Sequence, residues 1–340
     1  MNVHQVELDK VVAEDLGRLV TFDNTLWAEE EPGEPLIADQ VVAWMNRRRP
    51  NTKRWAWIVN GADGGIAGLA VLRGSTTDNL HLGILHVRVV PQARRGGVGR
   101  ALLGAAARRA QDDSRRLLSG YTWDSVSSGE SFVVAMGATP GLLVRRSELD
   151  LSGLDRDFLP AWLDVPARTS RRYELATVIG PYPQDQYESI AEIEQVMNTA
   201  PHDDLDVEDE VRDAAWVAAR EAHYDPAIEK RWTIFAKERS TDRLVAFTQV
   251  FFYDDWPGMV NQGNTGVHPD HRGYGLGLWM KAAMLQRILD KAPESRRMRT
   301  TNAYSNAPML AINDELGYRV AATQTAWQAD TAEVLQRVGG

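Results

Sequence analysis

The sequence contains no cysteine. That absence removes disulfides, thiolate zinc sites and cysteine nucleophiles together. Lysine is scarce: only Lys10, Lys53, Lys230, Lys237, Lys281 and Lys291 occur among 38 basic residues. Acidic residues number 47, and the net charge of −9 gives no electrostatic support to a nucleic-acid partner. The first residues, Met1-Asn2-Val3-His4-Gln5, lack the apolar core of a signal peptide. No run approaches membrane-spanning length. A cytoplasmic protein with no membrane partner is the expectation.

With 340 residues, 44% of them hydrophobic and 25% charged, the chain has room for two folded domains. The stretch that organises it is Val267-His268-Pro269-Asp270-His271-Arg272-Gly273-Tyr274-Gly275-Leu276-Gly277. It joins a strand-like run, 262–267, to an apolar-periodic run carrying Leu278, Ala282, Leu285, Ile288 and Leu289. Three alternate glycines permit a tight turn with exposed N–H groups, and the following helix adds the positive end of its dipole. Such a concave set of N–H groups suits an anion, phosphate above all. The pattern recurs as Val89-Val90-Pro91-Gln92-Ala93-Arg94-Arg95-Gly96-Gly97-Val98-Gly99. Every position from Val89 to Gly99 lies 178 residues before its counterpart between Val267 and Gly277. A repeat this long predicts duplication of a whole domain rather than a solenoid unit.

Neither copy has the Gly-Lys-Ser/Thr of a Walker loop, and Gly273, Gly275 and Gly277 do not follow the Rossmann Gly-x-Gly-x-x-Gly. Val-x-Pro-x-x-Arg-x-x-Gly-x-Gly instead resembles motif A of the GNAT superfamily, the acetyl-CoA-dependent N-acyltransferases. The resemblance implies that the loop N–H groups hold the CoA pyrophosphate and that the preceding strand pairs with the pantetheine arm. Carried onto this chain, the cofactor-binding positions are Val267, Arg272, Gly273, Tyr274, Gly275, Leu276 and Gly277. In the first copy they are Val89, Arg94, Arg95, Gly96, Gly97, Val98 and Gly99. The donor it implies is acetyl-CoA, with no metal; His268 and His271 flank the loop without a third ligand.

Periodicity along the chain predicts helices over 9–31 and 38–49, strands over 55–59, 66–72 and 80–90, a helix over 100–111, a strand over 117–123, a short helix over 129–136 and a strand over 142–151. The order restarts at Tyr173: helices over 184–198 and 207–223, then the echo Arg231-Trp232-Thr233-Ile234-Phe235 of Arg54-Trp55-Ala56-Trp57-Ile58. A strand over 298–302, a helix over 306–315 and a strand over 318–328 close it. The fold class is mixed α/β: two tandem GNAT-like domains, 1–151 and 171–340, with a packed connector at 152–170. Two-domain family members such as mycothiol synthase are similar in layout.

The family has an asparagine near the reaction end, then Asn-x-x-Ala-x-x-x-Tyr before a Leu-Gly-Phe/Tyr turn, the tyrosine protonating the departing thiolate. Here Asn302, Asn306 and Leu316-Gly317-Tyr318 fit, but Asn313 fills the tyrosine slot. Tyr304 is a substitute acid, water the alternative. Asn302 and Asn306 read equally as turn and cap residues. In the first half the asparagine slot is Val126 and the tyrosine slot Val133, so that half keeps the loop and loses the reaction end. The resemblance therefore implies a non-catalytic first half and a catalytic second. Asp254 and Asp255 are candidates for the base that deprotonates the amine, alongside His202 and Glu174; Gln262 and Asn264 stand where some relatives carry glutamate. Trp216, Trp232, Tyr253 and Trp256 are candidates for an acceptor pocket. The expected function is acetyl transfer to a small-molecule primary amine by direct attack. The alternatives are a protein N-acetyltransferase and a non-catalytic acyl-CoA-binding module.

Overall fold

The computed structural model describes residues 2–30, 36–46, 51–254 and 256–339. It divides into two compact units: Met1–Val144 with His202–Asp209 and Ala322–Gly340, and Arg145–Pro201 with Glu210–Ala321. Asp255, one of the base candidates, lies outside the described residues.

The first unit begins β1 (His4–Val6), α1 (Leu8–Glu30), α2 (Ala38–Asn46), β2 (Thr52–Asn60), β3 (Ile66–Ser75) and β4 (Leu82–Val89). Then come α3 (Val98–Asp112), β5 (Leu117–Trp123), α4 (Ser127–Ala135) and the start of β6 (Thr139–Asp150). The helix read from Asp9 onward is two helical pieces meeting at Asp15, whose φ of −128° is not helical. Strands β1 to β4 pair antiparallel in chain order, and β4 runs parallel to β5. A parallel neighbour demands a crossover, which α3 supplies.

The second unit takes over from Arg145 in β6 and continues through α5 (Leu159–Leu163), α6 (Ala167–Arg172), β7 (Tyr173–Ile179), α7 (Tyr187–Glu194) and α8 (Ala214–Ala222). Strands β8 (Glu229–Glu238), β9 (Leu244–Tyr253) and β10 (Met259–Val267) follow, then α9 (Leu276–Lys291), β11 (Arg297–Ala303), α10 (Ala307–Glu315) and β12 (Arg319–Asp330). Strands β7 to β10 form the antiparallel part, β10 is parallel to β11, and β6 lies beside β11.

The last strand does not stay with its own half. From Ala322 on, β12 belongs to the first unit, paired antiparallel with β5 from Gln324↔Trp123 to Asp330↔Leu117. Trp327 Nε1 donates to Thr122 Oγ1 at 2.8 Å across that pair. The closing helix α11 (Thr331–Gly339) then packs on α3, where the Cβ that Gly104 lacks would sit 3.3 Å from Val338. The two halves have exchanged their final strands.

Residues 202–209 also join the first unit, and this explains why the helix read over 207–223 begins only at Ala214. Asp206 pairs with Arg116 at 2.7 Å and Glu208 accepts from the Asn79 backbone at 3.0 Å, which holds the segment extended. Asp213 then caps α8, accepting from Trp216 N at 2.7 Å.

In each unit the strands are covered on both faces by separate apolar clusters, so the central strands are nearly continuous apolar runs. In β2, Ala56 and Ile58 face the α1–α2 core while Trp57 and Val59 face the α3 core. In β8, Ile234 and Ala236 face the α9 core, and Phe235 faces the core under α7 and α8. Between β6 and β7, Leu159 is buried against α9 residues, and Phe158 meets Trp162 edge-on at 5.3 Å.

Candidate functional site

The site grows out of the two strands that part company. Strand β10 pairs with β11 at only three positions, Met259↔Arg297, Val260↔Met298 and Asn261↔Arg299. Beyond Asn261 the strands separate and leave a cleft, with the glycine loop at the end of one wall and Asn302 at the end of the other. Strand β10 also carries a bulge. Gln262 faces Val250, but the next pair is Thr265↔Thr248, so one extra residue sits at Gly263–Asn264. A bulge kinks a strand and takes backbone groups out of the ladder, freeing them for another partner. Close packing beneath it leaves no room for a side chain at Gly266, where a Cβ would lie 2.3 Å from Val196.

The loop is held through its carbonyls and side chains. Gly273 and Gly275 have φ of +81° and +76°, the left-handed region, where only glycine rests without strain. Helix α6 binds the loop carbonyls: Thr169 Oγ1 donates to Tyr274 O at 3.0 Å and Arg168 to Gly273 O at 3.4 Å. Arg172 donates to the Tyr274 hydroxyl at 2.7 Å. Among the described residues the N–H groups of Gly273 to Gly277 have no protein acceptor, which is the arrangement an anion needs. Leu276 is buried and offers only its backbone. Arg272, on the surface, folds back along the turn, donating to Val267 O at 3.2 Å and Thr199 Oγ1 at 2.9 Å, and so braces it. His271 is 2.9 Å from the Tyr173 hydroxyl, and burial holds its imidazole below the usual range, neutral at pH 7. Among the described residues no cluster of three metal-ligating side chains occurs.

The first unit repeats this loop closely. Arg95 and Gly97 have φ of +62° and +85°, Gly97 caps α3, and the N–H groups of Arg95 to Gly99 are without protein acceptors among the described residues. Arg94 braces the turn through Val89 O at 3.1 Å and a two-pronged bond to Glu29. The β4–β5 pair likewise spans only Leu82↔Leu117 to Ile84↔Ser119. What differs is the strand: β4 pairs with β3 in unbroken register from Gly68↔Val89 to Arg73↔Ile84. The bulge belongs to the second unit.

At the reaction end of the second unit, Asn306 caps α10, accepting from Met309 N at 3.4 Å. Asn302 ends β11, partly buried, and Tyr304 follows in the exposed turn. Asn313 is fully buried. It reaches the cleft only through its Nδ2, which donates to Asn302 Oδ1 at 2.8 Å, while its Oδ1 accepts from Lys281 Nζ at 2.6 Å. Asp254 is not brought to this place: it pairs with Lys230 at 2.6 Å in the turn before β10, at the closed end of the cleft. His202 goes to the first unit, and Glu174 pairs with Arg239 at 2.6 Å. The Arg220 guanidinium lies over Trp216 at 4.6 Å, and Trp232 meets Phe252 at a tilt, centroids 4.7 Å apart. Beside the bulge, Gln262 Nε2 donates to Gln249 O at 2.7 Å and Thr248 Oγ1 at 3.1 Å, and its buried Oε1 has no donor.

Lys281 is the group the sequence reading passed over. It lies on the buried stripe of α9 with Leu285 and Ile288, where an apolar residue belongs, and the same place in the first copy is Leu103. That mismatch between the copies was the available signal.

Residues 19–122 match the acetyltransferase (GNAT) family model. A tandem GNAT protein from the clavulanic acid biosynthesis pathway superposes over 97% of this chain and 98% of its own, with 25% identity and a TM-score of 0.77. The chain is thus similar to tandem GNAT acyltransferases, by family model over residues 19–122 and by fold along nearly its whole length. At lower identity the fold is shared with a GCN5-related N-acetyltransferase from Sphaerobacter thermophilus, 14% identical with a TM-score of 0.69 over 97% of this chain and 95% of that one. It is shared also with the glucosamine N-acetyltransferase region of a fungal multi-domain β-N-acetylglucosaminidase, 15% identical with a TM-score of 0.69 over 96% of this chain and 38% of that one. No curated protein sequence matches the chain. Among the described residues no helix is long and apolar enough to cross a membrane.

Proposed function

We propose that the second unit transfers an acetyl group from acetyl-CoA to the primary amine of a small molecule, by direct attack of the amine on the thioester. The observation that carries this reading is the bulged, splayed β10, which sets freed backbone groups in the same cleft as the acceptor-free N–H groups of Gly273–Gly277. The loop takes the pyrophosphate, and positioning with N–H stabilisation of the developing oxyanion supplies the acceleration. An amine brings hydrogen-bond donors, and Gln262 Oε1 beside the bulge lacks one. The net charge of −9 is compatible with a cationic acceptor. On this reading the second unit is the catalyst and the first the non-catalytic partner.

The test is CoA release against a panel of small amines, with and without the second-unit loop disrupted. Release that needs an amine and the intact loop is the expected result; no release with any amine, from protein that binds acetyl-CoA, would leave a binding module. Release only with lysine-bearing peptides would make the acceptor a protein.

Tyr304 is the group assigned to protonate the departing thiolate. Tyr304→Phe removes one hydroxyl from an exposed turn and should fold normally. Loss of a positioned acid lowers the rate by about 10²–10⁴, read in single-turnover acyl transfer. A rate within a few-fold of wild type would hand that role to water.

A second reading follows from where the family model matches. It falls on the first unit, whose loop is as well formed as the second's, so that unit is expected to bind CoA without turning it over.

A further inference from the structure

We propose that Lys281 is a positioning residue for the acyl transfer assigned to the second unit: acting through Asn313, it fixes the Asn302 amide so that Nδ2 is presented as a donor to the cleft between β10 and β11. The inference rests on that assignment and concerns a side chain buried away from the cleft.

The direction of the chain follows from donor and acceptor counts. A protonated lysine has three donors and no acceptor, so Asn313 must turn its Oδ1 toward Nζ, at 2.6 Å. Asn313 Nδ2 is then left to donate, and it meets Asn302 Oδ1 at 2.8 Å. Thr300 Oγ1 approaches the same oxygen at 3.4 Å. With Oδ1 taken, Asn302 has its Nδ2 to offer, and it lies past the last β10–β11 pair, where the strands have separated.

Packing does not require this arrangement. Lys281 and Asn313 correspond to Leu103 and Val133 in the first copy, and that unit folds on an apolar pair at these places, with no bulge in β4. The polar pair and the bulge occur in the same unit and are missing from the same unit. A buried ammonium without a carboxylate is costly. Among the described residues the polar and aromatic groups recorded at Nζ are Asn313, Met309 Sδ at 3.9 Å and the Tyr318 ring at 5.7 Å. The charged groups on the neighbouring elements are engaged elsewhere or exposed: Asp314 of α10 with Arg145, Glu315 in solvent, and Arg299 of β11 with Glu148 at 2.7 Å. Burial accordingly lowers Lys281 to about 7. Once Nζ is neutral, its lone pair can accept from an amide, both asparagines are free to reverse, and the donor presented to the cleft is no longer fixed.

The experiment compares wild type, Lys281→Met, Asn302→Ala and the double variant between pH 6 and 9, reading kcat for acetyl transfer and calorimetric affinity for acetyl-CoA. Met is unbranched and suits the space. At pH 6 Lys281→Met is expected to bind acetyl-CoA within a few-fold of wild type, because the loop is untouched, and to lose up to about 100-fold in kcat, the scale of one misplaced group. The difference between the two pH profiles should change around pH 7. In the Asn302→Ala background Lys281→Met should have no further effect. Matching kcat and matching profiles, or a full additional loss on top of Asn302→Ala, would overturn the proposal. If Lys281→Met does not fold, Lys281→Leu/Asn313→Val copies the first unit's packing and carries the same expectations. The Asn302 side-chain amide can be read by NMR without any acceptor: amide signals identical in wild type and Lys281→Met from pH 6 to 9 sink the role of Lys281, whereas differing signals with no turnover on any amine sink the catalytic assignment alone.

Discussion

Gly275→Asp should abolish productive acetyl-CoA binding in the second unit, lowering affinity there by at least about 100-fold, with turnover falling in step. The carboxylate would stand in the nest of N–H groups that the pyrophosphate needs. A like charge at about 4 Å costs about 4 kcal/mol at the effective dielectric of a protein surface, roughly a thousandfold. The left-handed backbone at φ +76° adds about 1–2 kcal/mol of strain for any non-glycine residue. Nothing lies within 4 Å of the Cβ that the substitution adds, so folding should survive and the defect should be one of binding. The matching Gly97→Asp should remove a second calorimetric binding event and leave most turnover intact. Equal losses of turnover from the two variants, each folded, would mean that the units share the reaction.

The loops, the duplication and most elements were legible because each is written locally: glycines at fixed offsets, strand-length apolar runs, a helical stripe from Leu278 to Leu289. The strand exchange was not. β12 has the same alternation whichever β5-like neighbour it joins, and a pairing such as Gln324↔Trp123 depends on the closure of a long loop, which leaves no mark on either strand. The acidic run 202–209 misled for a similar reason: its partners Arg116 and Asn79 lie in the other half of the sequence, and they hold it extended where Val207 suggested a helix. The bulge at Gly263–Asn264 shifts the register by one residue, which a pattern of Gln, Gly and Asn does not reveal. For the site, the loop N–H groups were readable from glycine spacing, whereas the direction of Arg272 and the burial of Asn313 were not. Both are set by contacts, to Val267 O and to Lys281, that only the fold creates.

Lys281→Leu/Asn313→Val should stabilise the protein while impairing it. Replacing a buried, imperfectly paired charge by apolar residues of fitting shape commonly stabilises by about 1–4 kcal/mol, or about 2–4 °C in Tm per kcal/mol for a domain of 150–250 residues. The gain must depend on pH, with a sign fixed by the lowered pKa. The unfolded chain holds the Lys281 proton up to its ordinary value of 10.5, and the folded protein releases it at about 7. Between those values the unfolded state binds more protons, so wild-type stability rises with pH across the window. Below about pH 7 the folded protein carries the buried charge and its whole burden. The advantage of the variant is therefore largest at pH 6 and shrinks by about 1.4 kcal/mol for each pH unit above 7, nearly 3 kcal/mol by pH 9. Urea unfolding of both proteins at pH 6 and pH 9 reads the difference. A gain that is the same at both pH values would show that Lys281 keeps an ordinary pKa in the folded state. A loss of stability at pH 6 would show that the Lys281–Asn313 pair contributes to packing, in which case its retention in the second unit alone would need no functional cause.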